Sequence, residues 1–279
     1  MNSHTHFLNG KLVSEGELLI SPRDLGFARG YAIFDFLRTY PHHRPFKLVE
    51  HIDRLFNSAA YINLSVPWSK EQITAWVMET LDANKTEDEK FIKIMISGGV
   101  APAMVPTAEP TIVILVDSAV EYPKENYEKG INVIAVNFSR YQPAAKTNNY
   151  IEGVKQMQIG AAMNAAEPLY YSDTQVFEGS NSNVFAVIGD ELLTPKSNIL
   201  EGVTRTVLLE LLKLNIPIKV QDFTFEELKA ASEVFFSASG KEITPITRIN
   251  NEPVGGGEVG PITKEVMKQY REYVYSGAW

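Results

Sequence analysis

VFEGSNSNVFAV, residues 176–187, sets apolar residues on both sides of a short polar cluster, with one carboxylate, Glu178, at the head of that cluster. Apolar, aromatic and β-branched arms around a Gly/Ser/Asn turn predict buried strands joined by a tight loop. An ionised carboxylate among apolar arms needs something to bind, because a buried charge is costly unless paired.

Outward from this stretch, the second half predicts a strand INVIAVNF (131–138), a crossing segment PAAKTNNY (143–150) and a helix IEGVKQMQIGAAMNAA (151–166), then strands near 169–188. A helix from about Val203, a strand IKVQDF, a short helix FEELKAA, a strand EVFFSAS and a last helix after Pro261 follow. The first half carries an Asn-Gly hairpin signal in FLNGKLV, strand-like alternation in IFDFLRTY and RPFKLVE, and helical spacing in EHIDRLFNSAAYI. Ser69 and Gln72 form a capping box opening a second helix, and the strands FIKIMISGG and TIVILVD follow. The charged stretch SAVEYPKENYEKG, with Pro123 and no apolar period, marks a linker. The expected fold is α/β of the α+β type: a small N-terminal domain at 1–118, a linker at 119–130 and a larger C-terminal domain at 131–279.

Composition narrows the function. At 279 residues and 44% hydrophobic content the chain can fill real cores, and a net charge of −8 disfavours phosphate backbones and anionic lipid, so neither nucleic acid nor membrane is an expected partner. With no cysteine there is no thiolate metal site and no thiol nucleophile. The longest apolar run, TIVILV, falls far short of the roughly 20 residues of a membrane helix, and MNSHTHFLNG has no signal-peptide core, so a soluble, cytoplasmic protein is expected.

Two familiar motifs fail their context tests. GGGEVG fits G-x-G-x-x-G at Gly255, Gly257 and Gly260, but no strand precedes it and no room follows for the acidic ribose partner; it reads as a lead into the last helix. The histidines sit at 4, 6, 42, 43 and 51, without H-E-x-x-H spacing and with none downstream to serve a serine triad, so no metal site is expected.

Lysine and carboxylate remain. A lysine alone is ordinarily a surface solubiliser. Lys146, in QPAAKTNNYIEG, instead lies at a strand-to-helix junction among small and amide residues, and with Glu178 it makes the pair that pyridoxal 5'-phosphate chemistry requires. The lysine holds the coenzyme and moves the substrate proton, while the carboxylate keeps the pyridine nitrogen protonated. A phosphate cup is available in Arg54, in Val203 and Thr204 at a helix N-terminus, and in the small-residue turn of Ser239 and Gly240.

In EHIDRL, KTNNY, FEGSNSNVF, ILEGVTRTVLLEL and EITPI, taken in this order over almost the whole chain, the sequence resembles the fold-type IV PLP-dependent transaminases. That group includes D-amino acid transaminases, branched-chain aminotransferases and aminodeoxychorismate lyase. The resemblance implies two α/β domains with the coenzyme in the cleft between them, and a homodimer whose partner completes the substrate pocket. It gives Lys146 the Schiff base, Glu178 the pyridine nitrogen, and Arg54, Val203, Thr204 and Ser239 the phosphate. It also gives Tyr150 the ring hydroxyl and places SNSNVF, with Ser182, beneath the ring. The spacing 178 − 146 = 32 and the phrases EGSNSNVF and EITPI look closer to D-amino acid transaminases than to branched-chain enzymes.

Departures from both subgroups fall on the substrate side. Phe34 stands where D-specific members carry an aromatic hydroxyl, the loop GGVAPAMVPTAEP lacks their Arg-x-His, and FIK, ending at Lys93, replaces the branched-chain Tyr-x-Arg. Arg29, in GFARGYAIFDF, is expected to be buried and to bind an anion, either Asp35 or the substrate carboxylate, with help from Lys93. The expected activity is amino transfer between a D-amino acid and a 2-oxo acid such as 2-oxoglutarate or pyruvate. A branched-chain L-amino acid aminotransferase, a PLP lyase and a catalytically silent paralogue stay open as alternatives.

Overall fold

Asn9 and Gly10, at φ 47° and 91°, make the left-handed turn that an Asn-Gly hairpin requires, pairing β1 (Thr5–Leu8) with β2 (Lys11–Ser14). The computed structural model describes residues 4–279. The chain divides into two compact units: Met1–Val120 with Ala145–Asn149 and Gly277–Trp279, and Glu121–Ala144 with Tyr150–Ser276.

The first unit adds β3 (Ala32–Tyr40), β4 (Arg44–Pro45), β5 (Lys90–Ser97) and β6 (Thr111–Ser118), giving a six-stranded sheet in the order β2-β1-β6-β5-β3-β4. Its helices are α1 (Leu25–Arg29), α2 (Leu48–Tyr61) and α3 (Lys70–Ala83), the last capped by Ser69 as its sequence predicts. Ile33 and Leu37 on β3, Ile92, Ile94 and Ile96 on β5, and Ile112 and Ile114 on β6 pack with Ile52 and Leu55 of α2 and Ile73 and Val77 of α3. Strand side chains alternate, so Asp35 shares the face of Ile33 and Leu37, while Phe34 and Lys93 share the other face.

The second unit contains β7 (Ile131–Asn137), β8 (Ala165–Tyr171), β9 (Val176–Gly179), β10 (Asn183–Ile188), β11 (Glu191–Thr194), β12 (Ile218–Val220), β13 (Glu233–Ala238), β14 (Glu242–Ile249) and β15 (Glu252–Pro253). Its sheet runs β12-β11-β10-β13-β14-β7-β8-β9, and β9 also pairs β10, closing a ring of six strands. Helices α4 (Glu125–Glu128), α5 (Ile151–Ala161), α6 (Val203–Leu211), α7 (Phe225–Lys229) and α8 (Pro261–Ser276) complete it. Both β arms of VFEGSNSNVFAV are thus strands, β9 and β10, opposed at Glu178 and Asn183.

Local readings depart from the structure in three places. RPFKLVE does not continue as a strand beyond Pro45; Lys47 takes a left-handed turn at φ 52° and Leu48 starts α2, whose Leu48, Ile52, Leu55 and Ala59 enter the core. The helix expected over 151–166 stops at Ala161, and Asn164, at φ 52°, turns the chain into β8. The stretch 119–130 holds α4, whose Tyr127 hydroxyl donates to Lys241 O, while Ala145–Asn149 returns to the first unit. No helix of the described residues is long and apolar enough to cross a membrane.

Candidate functional site

In the first unit, Asp35 is fully buried on the inner face of β3 and meets two side chains one turn apart on α2. Arg54 grips it as a fork, Nε to Oδ2 at 2.8 Å and Nη2 to Oδ1 at 2.8 Å, and His51 Nδ1 lies 2.6 Å from Oδ1. Burial alone would raise the Asp35 carboxyl's pKa, but the charge of Arg54 and the His51 contact outweigh it and hold the group well below the usual carboxylate range. Burial pushes His51 the other way, below its ordinary value, against the pull of Asp35. The fork fixes the guanidinium of Arg54 in place, as an anion-binding arginine requires.

The segment carrying Lys146 is fastened from both sides. Lys146 N donates to Ser58 Oγ at 3.1 Å, and Ser58 Oγ donates to Arg54 O at 2.9 Å, which ties the lysine's backbone to α2. Lys146 O accepts from Phe34 N at 2.9 Å, Asn148 N donates to Ala32 O at 3.0 Å, and Thr147 bridges Ile33, which ties it to β3. Its Nζ lies 4.7 Å from the centre of the Phe34 ring, and so does that of Lys93. Lys155, the other lysine near the junction in sequence, is exposed on α5 and pairs with Glu152.

In the second unit, Glu178 is buried at the end of β9. Its Oε1 accepts from Arg140 Nη1 at 3.3 Å, and its Oε2 accepts from Leu200 N at 3.0 Å and Asn183 Nδ2 at 3.3 Å. Asn183 also donates to Leu200 O at 2.8 Å, so one amide bridges the carboxylate and the loop before α6. Three donors from three separate segments therefore converge on this one carboxyl group. Arg140 also donates to Ser180 O at 2.7 Å and lies over the rings of Tyr150 and Tyr170, at 5.0 Å and 6.0 Å. Burial would lower the pKa of Arg140, but Glu178 and Tyr150 raise it on balance; burial pushes Tyr170 up to about 12.

Val203 and Thr204 form the buried first turn of α6, where backbone N–H groups have no acceptor within the helix. Thr204 Oγ1 is buried there with no hydrogen-bond partner, and Ser237 Oγ on β13 is in the same state. Hydroxyls are rarely left so, and the one on Thr204 at a helix N-terminus fits an anion such as a phosphate. Ser239 and Gly240 form the turn between β13 and β14. Ser182 is buried, and its hydroxyl is committed to Glu167 Oε2 at 3.0 Å. Within the second unit, a buried carboxylate supplied with donors and an orphaned hydroxyl at a helix N-terminus are chemistry that fits pyridoxal phosphate.

The expectation for Arg29 needs correcting. It is exposed, not buried, at the C-terminal end of α1, where Gly30 at φ 67° ends the helix and the guanidinium donates to Ala28 O at 2.7 Å. Asp35 is not its partner, being held by Arg54 and His51. The structure also brings in Arg140, Ser58 and the Asp35–His51 pair, and within SNSNVF it gives Asn183 a partner in Glu178. A signal existed for the Asp35–His51 pair, since Asp35 alternates with Ile33 and Leu37 on a strand whose apolar face must be covered.

The chain belongs to the class IV aminotransferases, the family profile Amino-transferase class IV matching residues 32–249. It is 33% identical to the D-alanine aminotransferase of Staphylococcus aureus strain COL over 278 residues, 97% of this chain and 98% of that protein. It is 31% identical to a putative branched-chain-amino-acid aminotransferase of Methanocaldococcus jannaschii, over 95% of each chain. Among solved structures it is similar to the branched-chain amino acid aminotransferase of T.th. with pyridoxamine 5'-phosphate, at TM-score 0.91 and 25% identity over 99% of this chain and 95% of that one. It is also similar to the branched-chain aminotransferase of Thermoproteus uzoniensis with norvaline, at TM-score 0.89 and 28% identity over 99% of this chain and 96% of that one. The chain is thus a PLP-dependent aminotransferase with the fold of type IV.

The Asp35 network makes stability depend on pH in a stated direction. A carboxylate whose pKa is depressed on folding stabilises the protein above its unfolded pKa of about 3.9 and loses that contribution as pH falls further. Asp35→Asn leaves Arg54 without its counter-charge and should cost about 3–5 kcal/mol at pH 7. Urea unfolding at a series of pH values should show the acid-side slope of the wild type reduced in the variant; an unchanged slope would contradict the assignment.

Proposed function

We propose that this aminotransferase moves an amino group between a D-amino acid and a 2-oxo acid such as 2-oxoglutarate or pyruvate, with Lys146 as the catalytic residue. The observation that carries the reading is the buried carboxylate of Glu178, surrounded by Arg140, Asn183 and Leu200 N in a chain whose Lys146 segment is fastened at both ends. Pyridoxal phosphate, when bound, supplies an electron sink for the substrate's α-carbon. In this reading Lys146 Nζ anchors the coenzyme and then carries the proton from the substrate's α-carbon. Glu178 faces the pyridine nitrogen and keeps it protonated, and Arg140 keeps Glu178 charged. Arg54, Val203, Thr204, Ser239 and Gly240 hold the phosphate, Tyr150 the ring hydroxyl, and Ser182 belongs to the turn beneath the ring. The preference for D-amino acids draws support from the similarity to D-alanine aminotransferases over nearly the full length. A branched-chain L-amino acid specificity is the second reading, supported by the similarity to branched-chain enzymes of the same fold. A homodimer is part of the proposal.

On the substrate side, Phe34 and Lys93 share the outer face of the sheet with the Lys146 amine close by, and exposed Arg29 offers a two-donor fork for the carboxylate. Reduction of the purified yellow protein with borohydride should fix the coenzyme on Lys146 in peptide maps. In a separate sample of the unreduced yellow protein, D-amino acids in the absence of an oxo acid should convert the coenzyme's absorbance in a half-reaction, and L-amino acids should do so more slowly. An adduct on another lysine would refute the assignment, and faster conversion by branched-chain L-amino acids would favour the second reading. Charge-assisted contacts contribute about 1.5–3 kcal/mol, so Arg29→Leu should lower kcat/KM for amino acids about 10- to 150-fold and spare primary amines that lack a carboxylate. Equal losses for both substrate types would show that Arg29 does not read the carboxylate.

A further inference from the structure

Glu167, near the start of β8, is a carboxylate that the proposed chemistry does not use, yet it is only 1% exposed. Four donors meet it. Oε1 accepts from Asn181 N at 2.6 Å and Ser180 Oγ at 3.3 Å, and Oε2 accepts from Ser182 Oγ at 3.0 Å and forms an ion pair with Lys241 Nζ. Three of these donors come from the turn between β9 and β10, which also hydrogen-bonds β8 through Ser180 N and Pro168 O at 3.2 Å. The fit is close: a Cβ on Gly179 would stand 2.6 Å from Glu167 Oε1. The fourth donor comes from the turn between β13 and β14, where Lys241 follows Ser239 and Gly240, and where Lys241 O accepts from Tyr127 and Thr244 hydroxyls at 3.1 Å and 3.2 Å. Burial alone would lower the pKa of Lys241, but the charge of Glu167 outweighs it and raises it on balance. The Lys241 amine, its side chain 23% exposed, is thus engaged by Glu167 as an ion pair.

Burying an ion pair brings little net stability, and a well-packed apolar pair often does as well or better. What this pair does supply is register between two turns. We propose that Glu167 and Lys241 are positioning residues that lock the turn 179–183 to the turn 239–241, and so set the grip on the coenzyme's ring and phosphate. This rests on the assignment of Glu178, Ser239 and Gly240 made above.

The test compares Glu167→Gln, Lys241→Met, the double variant and Lys241→Arg. Pyridoxal phosphate is titrated into each apoprotein, and the Tm of the apoprotein is measured in parallel. Loss of an outer partner of a metal ligand typically weakens binding about 10- to 100-fold, and by analogy each single variant should lose coenzyme affinity on that scale. The double variant leaves no unpaired charge, so its apoprotein Tm should return towards wild type while its coenzyme Kd stays weak. Lys241→Arg should restore most of the affinity. Single variants with a coenzyme Kd within about twofold of wild type would overturn the proposal, as would a double variant that regains affinity together with Tm. Borohydride labelling of Lys146 in the wild type separates the two claims: labelling with unaffected affinities removes only the role of the pair, whereas a wild-type chain that binds no coenzyme removes both.

Discussion

A carboxylate held in the interior by donors on several sides is the constraint around which the second unit is arranged. Glu178, one residue before the end of β9, faces Asn183 at the start of β10, so the pairing of two short strands sets the acid and its amide partner opposite each other. Arg140 reaches it from the segment after β7, and Leu200 N from the loop before α6. Each is needed because a buried charge with no partner costs several kcal/mol, while one that is fully supplied with donors stays ionised in a medium where its field is strong. Gly202 shows how tightly this is built: a Cβ there would lie 1.9 Å from Asn183 Oδ1.

The first unit solves a different problem, which is to hold a lysine's backbone rigid with its amine 4.7 Å from the centre of the Phe34 ring. Ser58 links the Lys146 N–H to α2, and β3 takes the bonds on the other side. The same helix presents His51 and Arg54 to Asp35, so the elements that fasten the lysine also orient an arginine suited to phosphate. Rigid elements supporting reactive side chains are what a site needs if geometry is to be kept through a reaction.

Much of this was legible in the sequence because it rests on local signals. The strands on either side of Glu178, the Asn-Gly hairpin and the Ser69 cap follow from periodicity and turn chemistry. For Lys146 the sequence offers only its junction and its company, and its role is a proposal. The supporting residues were hidden because their partners are distant in the chain: Arg140 lies in an SRYQP loop with no motif of its own, and Glu167 and Lys241 are 74 residues apart. The apolar neighbours of Arg29 give no sign of its exposure, because the short helix α1 points it outward and leaves Phe27 exposed as well. Composition of a stretch does not say which way a short helix turns its faces; only packing does.

The claim at the centre is that Glu178 keeps the coenzyme's pyridine nitrogen protonated. The direct measurement is the ¹⁵N chemical shift of pyridoxal phosphate labelled at that nitrogen, bound to the wild type and to Glu178→Gln. A pyridinium shift in the wild type that moves to the neutral-pyridine range in the variant is the result expected. The same shift in both proteins would contradict the account.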